Sequence, residues 1–78
     1  GFELNDNQIK LYPNPTSSVL NIEMSTILKQ ATIYSVLGTQ VLKTTSKNLN
    51  TANLESGMYL ITIEDEMGRI STKRFIKQ

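Results

Sequence analysis

The sequence predicts an all-β domain: a small antiparallel β-sandwich of about seven strands, immunoglobulin-like in its arrangement. Apolar residues recur with period two along most of the chain. Gly38, Gly57 and Gly68 each fall between the alternating runs, where the chain should reverse and a positive φ is useful. No stretch has the apolar spacing of a long helix. A closed barrel is the competing architecture. With no cysteine and no tryptophan, "immunoglobulin-like" describes architecture only.

The elements follow from that periodicity. Ile9 to Tyr12 reads as a short lead-in strand. Pro13-Asn14-Pro15 follows, and neither proline has an N–H to give a ladder, while Pro15 biases Asn14 toward extended geometry. This motif reads as a boundary between the leader and the sandwich. Ser18 to Met24 places Leu20, Ile22 and Met24 on one face, and Gln30 to Val36 sets Ala31 and Ile33 opposite Thr32, Tyr34 and Val36. A hairpin through Gly38 leads into Thr39 to Thr44, with Val41 and Leu42 on opposite faces. Asn48 to Asn50, around Leu49, is a minimal strand. Ala52 to Glu55 suggests a single helical turn, with Leu54 plugging the end of the core. Met58 to Glu64 is the strongest alternation, setting Tyr59, Ile61 and Ile63 on one side. A second hairpin uses a three- to five-residue loop with Gly68 in the left-handed region. The last strand, Arg69 to Lys77, carries Ile70 and Ile76 in phase and Phe75 out of phase.

Composition narrows the function. At 78 residues with 38% hydrophobic and 19% charged, the chain fits one globular domain with a thin core. No apolar run approaches the roughly 20 residues that span a bilayer as a helix. Without cysteine or histidine there is no Ser-His-Asp arrangement, no cysteine nucleophile and no ordinary zinc site, and no glycine-rich phosphate cradle exists. No catalytic, metal-binding or cofactor-binding residues are therefore assigned, and an enzyme is not expected. The net charge of +1 hides an asymmetry: residues 1 to 68 hold four lysines and all seven acids, while the last ten add Arg69, Lys73, Arg74 and Lys77. The basic residues are too few, and too poor in interleaved aromatics, for a nucleic-acid surface.

Two constellations have a functional and a structural reading. Glu64-Asp65-Glu66 could offer oxygens to calcium, but it lacks the alternating ligand spacing and reads as a solvated loop. Tyr12, Tyr34 and Tyr59 could form a sugar-stacking platform, but each has apolar neighbours in a strand and reads as packing. An adhesion or carbohydrate-binding module is accordingly the alternative function.

"YPNP" at residues 12 to 15, "VLNIE", "ATIYSVLGTQVLK", "LNTANLESGMYLITIE" and a basic "KRFIKQ" occur in an order more specific than any of them alone. Together they closely resemble the C-terminal sorting domain of the type IX (Por) secretion system, type A, of the Bacteroidetes. The resemblance covers roughly residues 9 to 78, leaving residues 1 to 8 as a linker from a cargo protein. It implies a non-catalytic address label that folds in the periplasm and is delivered by shuttle proteins to the outer-membrane translocon. A surface sortase then removes it from a cargo that ends on the cell surface or outside the cell. The resemblance puts weight on Pro13, Asn14 and Pro15, on Gly38, on Gly57 and Tyr59, and on Lys73, Arg74, Phe75, Ile76, Lys77 and Gln78. Two departures stand out: Gln78 where the family often has a cation, and Ala31 where it has a valine-like residue.

The terminal segment has a residue-level argument of its own. Phe75 and Ile76 point to opposite sides of a strand, so at least one should be poorly buried unless both faces are covered or a bulge re-aims it. An exposed apolar residue among basic neighbours suits an acidic, partly apolar receptor groove, or pairing at a strand edge.

Overall fold

A computed structural model describes residues 9–78, and the linker expected over residues 1–8 lies outside the described residues. Seven strands follow in order: β1 (Ile9–Tyr12), β2 (Val19–Met24), β3 (Leu28–Ser35), β4 (Gln40–Thr44), β5 (Asn48–Asn50), β6 (Gly57–Asp65) and β7 (Ile70–Lys77). Each expected strand forms, with ends displaced by no more than two residues. They make two antiparallel sheets, β1-β2-β5 and β4-β3-β6-β7, rather than a barrel. Among the described residues, an isolated parallel bridge joins Thr16 to Lys77 outside the strand ladders.

Period two decides what is buried. Ile9, Leu20, Ile22 and Leu49 from the three-stranded sheet meet Leu28, Ala31, Ile33, Tyr59, Ile61, Ile63 and Phe75 from the four-stranded sheet in one core. At about 25 cal/mol per Å² of apolar surface, this contact is the main term opposing chain entropy. Met24, Leu42 and Leu54 pack at its margin, while Val41 stays exposed. Ala31 is fully buried, so this narrow position is packed despite its small side chain.

The connections are tight. Gly38 (φ +89°) and Gly68 (φ +81°) occupy the two four-residue hairpin loops in the left-handed region. The helical turn expected over Ala52 to Glu55 is instead a single hydrogen-bonded turn. The Leu54 N–H donates to the Thr51 carbonyl at 3.0 Å, with no helical repeat to extend it. Thr51 closes this corner: its N–H and hydroxyl both donate to the Ser18 carbonyl, at 2.6 and 2.8 Å.

Candidate functional site

The two-proline motif and the C-terminal strand lie against one another. β7 is the edge of its sheet, hydrogen-bonded to β6 alone among the strands. Successive residues of an edge strand turn their backbone groups alternately toward the partner and outward. Ile76 turns outward, and the motif meets it there: the Ile76 N–H donates to the Asn14 Oδ1 at 3.0 Å, and the Ile76 carbonyl accepts the Thr16 N–H at 2.9 Å. The Gln78 N–H completes the clasp by donating to the Thr16 carbonyl at 2.8 Å. Thr16 is fully buried, and its hydroxyl donates to the Val19 carbonyl at 2.9 Å. Both Tyr12–Pro13 and Asn14–Pro15 peptide bonds are cis. The motif does not part a leader from the sandwich: it connects β1 to β2 within one sheet, with Ile9 of β1 already in the core, and it caps the end of the chain's last strand.

The turn before β6 arrives at the same place. Gly57 pairs with Lys77, Met58 with Ile76 and Tyr59 with Phe75. Gly57 has φ +145°, outside the range that side-chain-bearing residues favour. Tyr59 and Phe75 stack with centroids 5.6 Å apart and planes at 19°, and the Tyr59 hydroxyl donates to the Glu55 carbonyl at 2.7 Å. Ser35, at the start of the Gly38 hairpin, pairs with Tyr59, so that loop projects from the same end of the sheet. At its tip, Leu37 is 91% exposed.

β7 thus presents two different faces. Phe75 is fully buried, while Ile76 is 41% exposed and lies beside Met58, 44% exposed, on the outer side of the sheet. Leu60 and Arg74 form the next outer pair, with Tyr34 beyond Leu60. The four cations of the tail differ in accessibility. Arg69 is taken by Asp65, and Lys77 is buried with its ammonium donating to the Gln78 carbonyl at 2.9 Å. Lys73 is half-buried and also engaged. Arg74 is exposed, with no ion-pair partner among the described residues. Two shallow depressions flank it: about 360 Å³ bounded by Asn14, Met58, Arg74, Phe75 and Ile76, and about 350 Å³ bounded by Leu60, Thr72, Lys73 and Arg74.

The acidic triplet at the far end is not the solvated loop its composition suggests. Asp65 is fully buried, because β6 runs one residue longer than expected and turns this side chain inward. Its Oδ1 accepts the N–H groups of Met67 and Arg69, each at 3.0 Å, and its Oδ2 accepts the Thr26 hydroxyl at 3.0 Å and the Arg69 Nε at 2.9 Å. Burial works against ionisation of Asp65. The hydrogen bonds from the Arg69 backbone, Thr26, the Arg69 side chain and the Met67 backbone outweigh it and hold the carboxyl below its ordinary value. Among the described residues, no group of three or more potential metal ligands gathers. The tyrosines do not converge: Tyr59 faces the core, Tyr34 points to the other side of the same sheet, and Tyr12 lies on the opposite sheet.

The two-proline motif, the Gly57 turn and the terminal strand thus gather at one end of a two-sheet sandwich. Family comparison gives its class: residues 10–78 match the secretion-system C-terminal sorting domain, the Por secretion tail. The chain belongs to this family of type IX secretion signals, which implies export to the cell surface or beyond and interaction with the type IX machinery. No curated protein and no solved structure matches the chain. No helix among the described residues is long and apolar enough to cross a membrane.

Proposed function

We infer that this domain is the removable address label of a secreted cargo protein. It folds in the periplasm, is carried by shuttle proteins to the outer-membrane translocon, and is cut from its cargo by a surface sortase within or before residues 2 to 8. The domain is a substrate of that sortase and performs no catalysis itself. Residues 1–8 serve as the linker and residues 9–78 as the folded signal. Pro13, Asn14 and Pro15 and the end from Lys73 to Gln78 form one recognition surface. Gly38, Gly57 and Gly68 shape the turns that hold the sheet carrying it.

One observation supports this reading above the rest: three segments far apart in sequence, "YPNP", "SGMY" and "RFIKQ", meet at one end of the four-stranded sheet. Deleting Lys73 to Gln78 would not separate signal from fold, because it removes the buried Phe75. The test is a fusion of residues 1–78 to a fluorescent protein behind a signal peptide, in a bacterium with a type IX system. The expected result is surface or medium fluorescence with the domain cut away, and uncut surface material in a strain lacking the sortase. Intact fusion held in the periplasm of the competent strain would overturn the reading.

A further inference from the structure

We propose that the outer edge of β7 from Ile70 to Arg74, which no described strand covers, is a strand-addition site for an extended acidic segment of a protein partner. This rests on the sorting reading and specifies how the signal is held.

Ile76 turns its N–H and carbonyl away from β6, toward Asn14 and Thr16. By period two, Thr72 and Arg74 also turn theirs outward. No described strand pairs with them there. The clasp bounds one end of this stretch and the Asp65 turn the other, leaving about 13 Å of edge unpaired among the described residues, at roughly 3.3 Å per residue. Natural edges are usually blunted by shortness, bulges or proline. The other three edge strands are short, at four, five and three residues for β1, β4 and β5, and the β3-β4 ladder carries a register shift. β7 has eight residues, no proline and an unbroken register against β6 from Gly57↔Lys77 to Glu64↔Ile70. Among the described strands it is the long, regular edge.

Charge selects the occupant. Edge cations commonly guard against aggregation, and they do so by repelling strands of like charge while leaving an acidic strand welcome. The exposed guanidinium of Arg74 sits between the two depressions, where a carboxylate on an added strand meets it. The neighbouring depression beside Met58 and Ile76 takes an apolar side chain of the same strand, and backbone pairing supplies the remaining contacts. A second copy of this chain would instead bring another basic edge.

Thr72→Pro tests the edge directly. It removes an N–H that gives nothing to β6 and leaves the internal ladder in place. Arg74→Glu reverses the charge, and Arg74→Lys retains it. Each is made in the fluorescent fusion, and the melting temperature of the purified chain is compared with that of wild type. Exported wild type, with a folded Thr72→Pro retained in the cell and Arg74→Glu exported at least tenfold less than Arg74→Lys, is the expected result. A folded Thr72→Pro exported like wild type overturns the proposal while leaving the sorting function standing. If Thr72→Pro does not fold, Arg74→Glu decides, and unchanged export overturns the proposal. A wild-type chain that sediments as a dimer, with Thr72→Pro a monomer, would assign the edge to a second copy and overturn the acidic partner.

Discussion

The two ends of the four-stranded sheet are closed by different means. At the Asp65 end, one buried carboxylate gathers donors from its own hairpin and from Thr26. That closure is largely local in sequence and electrostatic. At the Gly57 end, closure comes from Asn14 and Thr16, residues before the second strand that reach the last strand of the chain. That closure is long-range and built from neutral hydrogen bonds, while exposed apolar side chains flank both ends, Met58, Ile76 and Leu37 here and Ile27, Met67 and Ile70 there. The difference is one of reach: the first end secures its own hairpin, and the second joins the first connection of the domain to its terminal strand.

The strongest challenge to this contrast lies within β7. Phe75→Ala should cost about 3 to 5 kcal/mol through cavity formation and lost stacking with Tyr59. That approaches the whole stability of a domain this size, roughly 4 to 12 kcal/mol. Ile76→Ala, one residue on, should cost less than about 1 kcal/mol. Urea midpoints check both, and equal losses would erase the distinction between the inner and outer faces.

Acid titration separates the ends next. The folded-state value of Asp65 is lowered, so its contribution is fully present above the unfolded value of about 3.9 and is lost as pH falls through the folded value. Asp65→Asn should lower the urea midpoint at pH 6 and flatten its decline below about pH 4. Asn14→Ala should leave the slope of that decline as in wild type. A steep acid limb surviving in Asp65→Asn would place the sensitive carboxylate elsewhere.

Gly57→Val should destabilise by more than about 1 kcal/mol. Among the described residues, no heavy atom beyond its own chain neighbours lies within 4 Å of where a Cβ would stand, so the cost is backbone conformation and not crowding. A midpoint unchanged from wild type would show that the backbone relaxes freely at this turn. The smallest effect belongs to Asn14→Ala, about 1 kcal/mol for one lost hydrogen bond. Its sharper readout is hydrogen exchange, which should quicken at the Ile76 amide and leave the Asp65 hairpin unchanged. Faster exchange at both ends alike would make the clasp part of the global fold.

The alternation of "MYLITIE" and its neighbours placed the strands because a strand's two faces are written in adjacent residues. The opposed sides of Phe75 and Ile76 followed from the same rule, and the turn glycines from the lack of a Cβ. Asp65 was misread for a comparable reason. Composition marks a carboxylate as polar, and only the longer β6, with Thr26 contributed from another loop, makes its burial tolerable. Sequence by itself therefore determined the strands, their inward residues and, through the order of its motifs, the family. Tertiary structure alone decided that Asn14 meets Ile76 across 62 residues, and that Lys77 is buried while Arg74 is displayed. Strand pairing and edge position depend on contacts distant along the chain, and local periodicity carries no record of them.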